Sequence, residues 1–250
     1  MIILSNQDYF ESIYQQLFWS PKDVEFVIYN KEIWRKAQFL LENSKMVIDL
    51  GAGGGTLLYN IAKETKADLL AIDLSRNALY QIKKIIPRTD VIQGDATATA
   101  LSEEACDFIA SSMFIEHVDD IAFLKEVYRI LKPGGYFLVT TVLKREHAIY
   151  IYKNKDGKSV LEPTHLREYL TEEEFLSLLK SCGFSIIESK TPRIKFSVID
   201  PFLKLSLKIF KNKKMITLFT TPGVETFRKI TRIPIPGYYA IEVLCIKERD

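Results

Sequence analysis

The side chains best placed for chemistry are carboxylates spaced at intervals around a run of glycines. Asp49 is followed at two-residue steps by Gly51, Gly53 and Gly55, with Ala52 and Gly54 between them; Asp73 and Asp95 come later. Glycines at a chain corner take positive φ readily and let a ligand approach the backbone without meeting a Cβ atom. A helix starting at such a corner turns free N–H groups and the positive end of its dipole toward the same spot. A carboxylate such as Asp73, twenty residues beyond Gly53, can accept two hydrogen bonds from the vicinal hydroxyls of a ribose. Together these groups suit a cofactor that carries a nucleoside. Further along, Glu116-His117 and His165 are residue types that move protons near neutral pH. His147 lacks such a context and is expected at the surface.

These groups need elements that carry them to one place, and the patterning supplies a regular α/β rhythm. Met46-Val47-Ile48-Asp49-Leu50 reads as a buried strand that breaks at the glycines, and Leu57, Leu58 and Ile61 then recur at helical spacing. Residues 67–73 form a second strand, and Ser75 caps a helix running through Ile86. Residues 90–95 and 106–112 form the third and fourth strands, with a helix from about 120 to 131 whose face is Ile121, Leu124, Val127 and Leu131. Lys132-Pro133-Gly134-Gly135 stops it before a fifth strand at 136–141. Strands alternating with helices imply right-handed crossovers and a parallel sheet, which puts Asp49, Asp73 and Asp95 at strand ends on the edge where ligands bind. Thr171-x-x-Glu174 opens a helix through Ser181, closed by Gly183, and strands follow at 184–189 and 239–246.

The glycine spacing discriminates between cofactors. In the dinucleotide fingerprint Gly-x-Gly-x-x-Gly, Gly51 and Gly53 fill the first two positions but Thr56 falls on the third. The order Asp49-x-Gly51-x-Gly53-x-Gly55 instead resembles motif I of the class I S-adenosylmethionine-dependent methyltransferases. The stretches Asp107–Val118 and Phe123–Val139, which contains Lys132-Pro-Gly-Gly, resemble later motifs of the branch that includes quinone, sterol and sugar methyltransferases. The resemblance covers about residues 44–142. It implies a Rossmann-like, seven-stranded, mostly parallel sheet with an antiparallel last strand, helices on both faces, an N-terminal helical lid and a helical insertion between strands six and seven. One domain spans 1–250: a helical segment at 1–43, a core at 44–190 and 238–250, and the insertion at 191–237. Tyr9, Phe10 and Tyr14 are the lid candidates.

The resemblance also implies the site. Asp49, Gly51, Ala52, Gly53, Gly55, Asp73, Leu74, Asp95, Ala96 and Ser111 are its cofactor residues, with Asp95 against the adenine amino group and Leu74 and Ala96 on the adenine faces. The cofactor is S-adenosyl-L-methionine, and the product is S-adenosyl-L-homocysteine. The reaction is an in-line displacement at a methyl carbon, in which the protein aligns the acceptor and excludes water. A base is needed only where the acceptor must lose a proton. Glu116, His117 and His165 are the candidates, beside the alternative that they merely shape their loops. The rival readings are a non-catalytic S-adenosylmethionine-binding protein, a methyltransferase for an anionic or nucleic acid acceptor, and a nucleotide-dependent oxidoreductase.

Composition bounds the partners. With 47% hydrophobic and 26% charged residues the chain is globular; no signal peptide or membrane span is legible. Cys106, Cys182 and Cys245 are scattered without Cys-x-x-Cys spacing, so thiols in a cytoplasmic protein are expected, with neither disulfide nor metal. The net charge of +2 hides an asymmetry: residues 190–232 hold eleven Lys and Arg against Asp200 and Glu225, leaving +9 there. Asp200-Pro201 starts a helix with Leu203, Leu207 and Phe210 on one side and Lys204, Lys208 and Lys211 on another. A second starts at Thr221-Pro222, carries Phe227 and Ile230, and ends at 233–237. A basic amphipathic helix suits an anionic membrane surface, an anionic acceptor or nucleic acid phosphates. The expectation is a small-molecule or lipid-like acceptor with peripheral contact to an anionic membrane through 198–232. Nucleic acid is disfavoured by the lack of any RNA-binding domain. Oligomeric state is not legible.

Overall fold

The computed structural model describes residues 11, 28–145, 148, 152–154, 157–199 and 221–249. Its elements follow from the patterning. Helix α1 (Lys31–Leu41) starts where the Asn30 side chain accepts from the amides of Glu32 and Ile33, and it buries Ile33, Ala37 and Leu41, one face at four-residue steps. Strand β1 (Met46–Leu50) leads through the glycines into α2 (Thr56–Glu64). Then come β2 (Asp68–Asp73), α3 (Arg76–Ile85, capped by Ser75), β3 (Thr89–Gln93), β4 (Cys106–Ser112), a short 3-10 turn (Ile115–His117) and α4 (Asp120–Ile130).

Strand β5 (Leu131–Lys144) is longer than its apolar core suggested, because Leu131 already pairs with Cys106 of β4; Lys132-Pro133-Gly134-Gly135 fall in the register irregularity before Tyr136 pairs with Phe108. A two-stranded ribbon, β6 (Tyr152–Lys153) with β7 (Ser159–Val160), precedes α5 (Glu172–Ser181). The chain closes through β8 (Phe184–Lys190), β9 (Arg193–Ser197), α6 (Pro222–Ile230) and β10 (Arg232–Lys247).

The main sheet runs β3-β2-β1-β4-β5-β10-β8, parallel from β3 to β5, with β10 antiparallel to both β5 and β8. This is the expected mostly parallel sheet with an antiparallel last strand, with one correction: β9 also pairs with β10 and makes the sheet eight-stranded. The seven-strand expectation missed β9 because 191–237 read as wholly helical. Residues 232–237, expected as the end of a helix, instead extend β10.

Side chains alternate across the sheet with period two. Val47, Leu69, Ala71, Phe108, Ala110 and Leu138 face a core shared with α1, α2 and α3. Ile48, Leu50, Leu70, Ile72, Ile109 and Phe137 face one shared with α4 and α5. The result is a three-layer α/β/α stack that fixes where the strand ends lie.

The lid candidates Tyr9, Phe10 and Tyr14, the histidine at 147, and Lys204, Lys208 and Lys211 lie outside the described residues.

Candidate active site

The glycine corner sits at the carboxyl end of β1. Gly51, Gly53 and Gly55 have φ of +69°, +50° and +78°, a left-handed backbone that disfavours any side chain. Two of the three are also pinned by close neighbours. A Cβ on Gly51 would lie 2.1 Å from the Phe114 ring, and one on Gly55 would lie 2.7 Å from Ile82 of α3. Gly51 and Ala52 donate to the Ile72 carbonyl at 2.9 and 3.2 Å, which ties the corner to β2.

Two carboxylates organise this corner. Asp73 accepts from Gly53 N–H and Ser75 N–H, each at 2.8 Å, through different oxygens. Asp49, 2% exposed, accepts from the Leu58 amide, while its Oδ2 has no hydrogen-bond partner among the described residues. Burial and then the neighbouring Asp73 charge raise the Asp49 carboxyl to about 8 against the Leu58 hydrogen bond. Asp73 is raised as well, by burial, with Ser75 and Gly53 opposing. A buried acceptor without a donor, beside a second carboxylate, is a site that a cation would stabilise.

The remaining donor-side expectations fall around this pair. Ser111 is buried and donates to the Leu50 carbonyl at 2.8 Å, joining β4 to the end of β1. Leu74 is exposed directly after Asp73. Asp95 lies just beyond β3, whose Gln93 pairs with Asp73; it is exposed and accepts from Thr97 N and Oγ1, both at 2.8 Å. Ala96 is buried in the core with Ile72, so its side chain offers no open face.

Sequence reasoning missed Glu11. Its carboxylate accepts from Ser75 Oγ at 2.8 Å, Arg76 N at 3.0 Å and Asn77 N at 3.2 Å. That anion caps the amino end of α3 and sits beside the donor corner. Phe114, over Gly51, was missed too; no spacing singled it out.

On the neighbouring strand end, the three expected acceptor-side residues meet. Glu116 and His117 occupy the 3-10 turn after β4, and His165 arrives from the segment before α5. All three are buried. The amides of Leu166 and Arg167 donate to the Glu116 carbonyl at 2.8 and 3.3 Å, and Leu143 bridges Tyr169, so residues 165–169 lie along the end of β5. Arg167 pins them, reaching Asp120 Oδ2 at 2.7 Å and Glu174 at 3.0 Å. Thr141 donates to Glu116 Oε2 at 2.9 Å. His165 Nδ1 lies 2.6 Å from Glu168, and His117 Nδ1 lies 3.0 Å from the Thr164 hydroxyl. The imidazoles meet edge to face at 4.8 Å.

Burial raises Glu116 to about 7 although His165 opposes it. Burial and then His165 depress His117 to about 3. At His165 burial is outweighed by Glu168 and Glu116, and its pKa rises. His117 is therefore neutral at neutral pH, while Glu168 and Glu116 make His165 hold its proton more readily than a free imidazole. Glu168 was legible as His-x-x-Glu but was not singled out.

A separate groove of about 570 Å³, lined by Arg35, Phe39, Leu40, Ile187 and Leu244 among others, shares no residue with either cluster.

Comparison with known proteins gives these clusters a context. Residues 48–139 match the family model described as a methyltransferase domain. A malonyl-[acyl-carrier protein] O-methyltransferase of Marinomonas is 26% identical over 163 residues, 63% of this chain and 59% of that one. A demethylmenaquinone methyltransferase of Chlorobaculum tepidum is 26% identical over 175 residues, 62% of this chain and 72% of that one. The chain spans about half the length of several curated relatives it matches, 41%, 52% and 40% of three of them. Among solved structures, a Haemonchus contortus phosphoethanolamine N-methyltransferase, in complex with phosphomonomethylethanolamine and S-adenosylhomocysteine, superposes with a TM-score of 0.54 at 18% identity. It covers 86% of this chain and 53% of that one.

Proposed function

We propose that this chain, which carries a class I S-adenosylmethionine-dependent methyltransferase domain, moves a methyl group to an oxygen or carbon of a small-molecule or lipid-like acceptor. The observation that carries the reading is the orphaned Asp49 Oδ2 beside Asp73 at a positive-φ glycine corner. A donor bearing an ammonium and a sulfonium would supply the missing positive charge. When bound, S-adenosylmethionine supplies a methyl group already activated on sulfur, so the chain's residues have to hold and align rather than activate. Asp49 would face the cationic end. Asp73 would keep lone-pair capacity for a ribose hydroxyl beyond its bonds to the Gly53, Ser75 and Leu74 amides. Leu74 and Asp95 would border the adenine, and Glu11 would cap α3 beside them. Acceptor groups would approach from the Glu116–His117–His165 side, where a hydroxyl acceptor would lose its proton as oxygen takes the methyl carbon and sulfur keeps the bonding pair.

The lipid-like reading draws on the insertion. Tyr238 pairs with Lys144, the last residue of β5, so 232–237 extend β10 beyond the ligand-binding edge of the parallel strands, with β9 alongside. There Ile230 is 77% and Phe227 50% exposed, and Ile233 is also exposed, within the segment of net charge +9. Exposed apolar side chains among basic residues suit an anionic membrane surface. No helix among the described residues is long and apolar enough to cross a membrane.

Calorimetric titration with S-adenosylmethionine, S-adenosylhomocysteine and NAD tests the donor assignment. Binding of both sulfur ligands and not NAD is expected, and the reverse overturns it. Sedimentation with phosphatidylserine vesicles tests the membrane contact. Phe227→Ser with Ile230→Ser should release the protein, and a parent that stays in the supernatant would dismiss the contact.

A further inference from the structure

The cluster of Glu116, His117 and His165 is built more fully than a loop contact requires. One ligand-capable atom from each residue lies within 4.8 Å of the other two, and all three side chains are buried. Each has an outer partner that orients it. Glu168 Oε1 holds His165 Nδ1 at 2.6 Å, Thr164 Oγ1 meets His117 Nδ1 at 3.0 Å, and Thr141 Oγ1 donates to Glu116 Oε2 at 2.9 Å. Two imidazoles and a carboxylate form a donor set that suits first-row divalent ions. A carboxylate on the far nitrogen of a ligating histidine is the usual way such a ring is fixed. If Nδ1 of both rings keeps its partner, Nε2 is the atom each would offer.

We propose that Glu116, His117 and His165 bind a single divalent first-row transition-metal ion at the acceptor side of the glycine corner. The proposal deepens the methyl-transfer reading and rests on it for its purpose: an acceptor oxygen completing the coordination would be polarised there. Ligand distances of about 2.0–2.2 Å require the three atoms to draw in by about 1 Å from their outer separation. The alternative is a purely ionic clamp, with His165 bridging Glu168 and Glu116. It leaves unexplained why His165 bonds to Glu168 only, since among the described residues Glu116 and His165 share no hydrogen bond. No sequence spacing announced this set, because His165 lies 48 residues beyond His117 and only the return of 161–169 along β5 brings it in.

The test uses the full chain, stripped with a chelator, and two probes, Co²⁺ and Zn²⁺. Cobalt titration followed by visible d–d absorption should saturate at one equivalent, and zinc should displace the signal. His117→Ala and His165→Ala should each weaken cobalt binding at least 100-fold. Glu168→Gln, which leaves all three ligands in place, should weaken it about 10- to 100-fold. S-adenosylhomocysteine titrated into the same samples should bind the parent and Glu168→Gln equally. A parent protein that develops no cobalt absorption overturns the proposal, as does a parent whose absorption is unchanged in the folded His165→Ala and Glu168→Gln variants. Cobalt binding without any binding of S-adenosylhomocysteine would leave the metal site standing and refute the methyl-transfer reading instead.

Discussion

Replacing Asp73 with Asn keeps its shape and removes its charge, and the structure says what that costs. Each oxygen of Asp73 already takes one backbone N–H, from Gly53 and Ser75 at 2.8 Å. A carboxylate has about four lone-pair sites, and with the Leu74 amide also bonded to Asp73 about one remains for a ribose hydroxyl. An amide oxygen offers two in all, and the –NH₂ group must donate where an oxygen accepted. One backbone N–H at the corner and one ribose hydroxyl therefore lose their acceptor. A hydrogen bond to a charged group contributes about 1.5–3 kcal/mol, so Kd for S-adenosylhomocysteine should rise roughly 10- to 150-fold. The unpaired amide, part-buried, should cost up to about 1–3 kcal/mol of stability, a fall in Tm of several degrees for a chain this size. Calorimetry with S-adenosylhomocysteine, which cannot turn over, isolates binding, and a parallel melt confirms folding. Asp90→Asn, on exposed β3, is the matched control and should change neither. A folded Asp73→Asn whose affinity stays within twofold of the parent refutes the reasoning, since the ribose would then sit elsewhere.

Other expectations follow from the same geometry. Gly51→Ala puts a Cβ 2.1 Å from the Phe114 ring at φ +69° and should cost about 1–3 kcal/mol from backbone strain alone; a melt that matches the parent would show that the corner relaxes freely. Glu242, buried in β10, accepts from the amides of Tyr29 and Asn30, and burial raises it to about 7 against those bonds. Between about pH 4.5 and 7 the folded chain holds a proton there that the unfolded chain has released, so stability falls as pH rises through that window. Chemical denaturation across it should show the fall become shallower in Glu242→Gln, and equal slopes would contradict the assignment. Cys106 is raised to about 12 by burial, and Cys245 is raised too by burial. Neither should react with a thiol reagent at pH 8 until the protein is unfolded.

The frame was legible because each of its signals is local. Strands β1, β2 and β4 are apolar runs that end in a carboxylate or serine, Ser75 and Thr171 cap the helices as read, and glycine spacing fixed the corner. Boundaries failed where a long-range pairing overrode a local breaker. Lys132-Pro133-Gly134-Gly135 should separate a helix from β5, yet Leu131 ahead of it already pairs with Cys106 of β4 and starts the strand. Pro234 and Pro236 should end β10, yet Pro234 pairs with Lys195 of β9. Thr171-x-x-Glu174 read as a reciprocal box, but Glu174 bonds the amide of Leu170 and the Arg167 side chain instead. Glu11, Phe114 and Thr141 could not be read at all, since their partners are 64, 63 and 25 residues away in sequence.

That division separates the two halves of the site. The donor corner joins neighbouring strand ends, β1 to β2 and β3, through turns whose composition betrays them. The acceptor half joins the turn after β4, which carries Glu116 and His117, to what the chain adds after β5: the return of 161–169, then β9, α6 and the overhang of β10. Burying Glu116 between Thr141 and His165 costs desolvation that the fold alone does not require, and Thr164 and Glu168 hold the two rings from outside. A chain that needed the fold alone could fill this space with apolar side chains at less cost. On the proposed function, this buried polar cluster and the exposed basic and apolar overhang beside it are where acceptor selection would reside, apart from the motifs that make the donor corner recognisable.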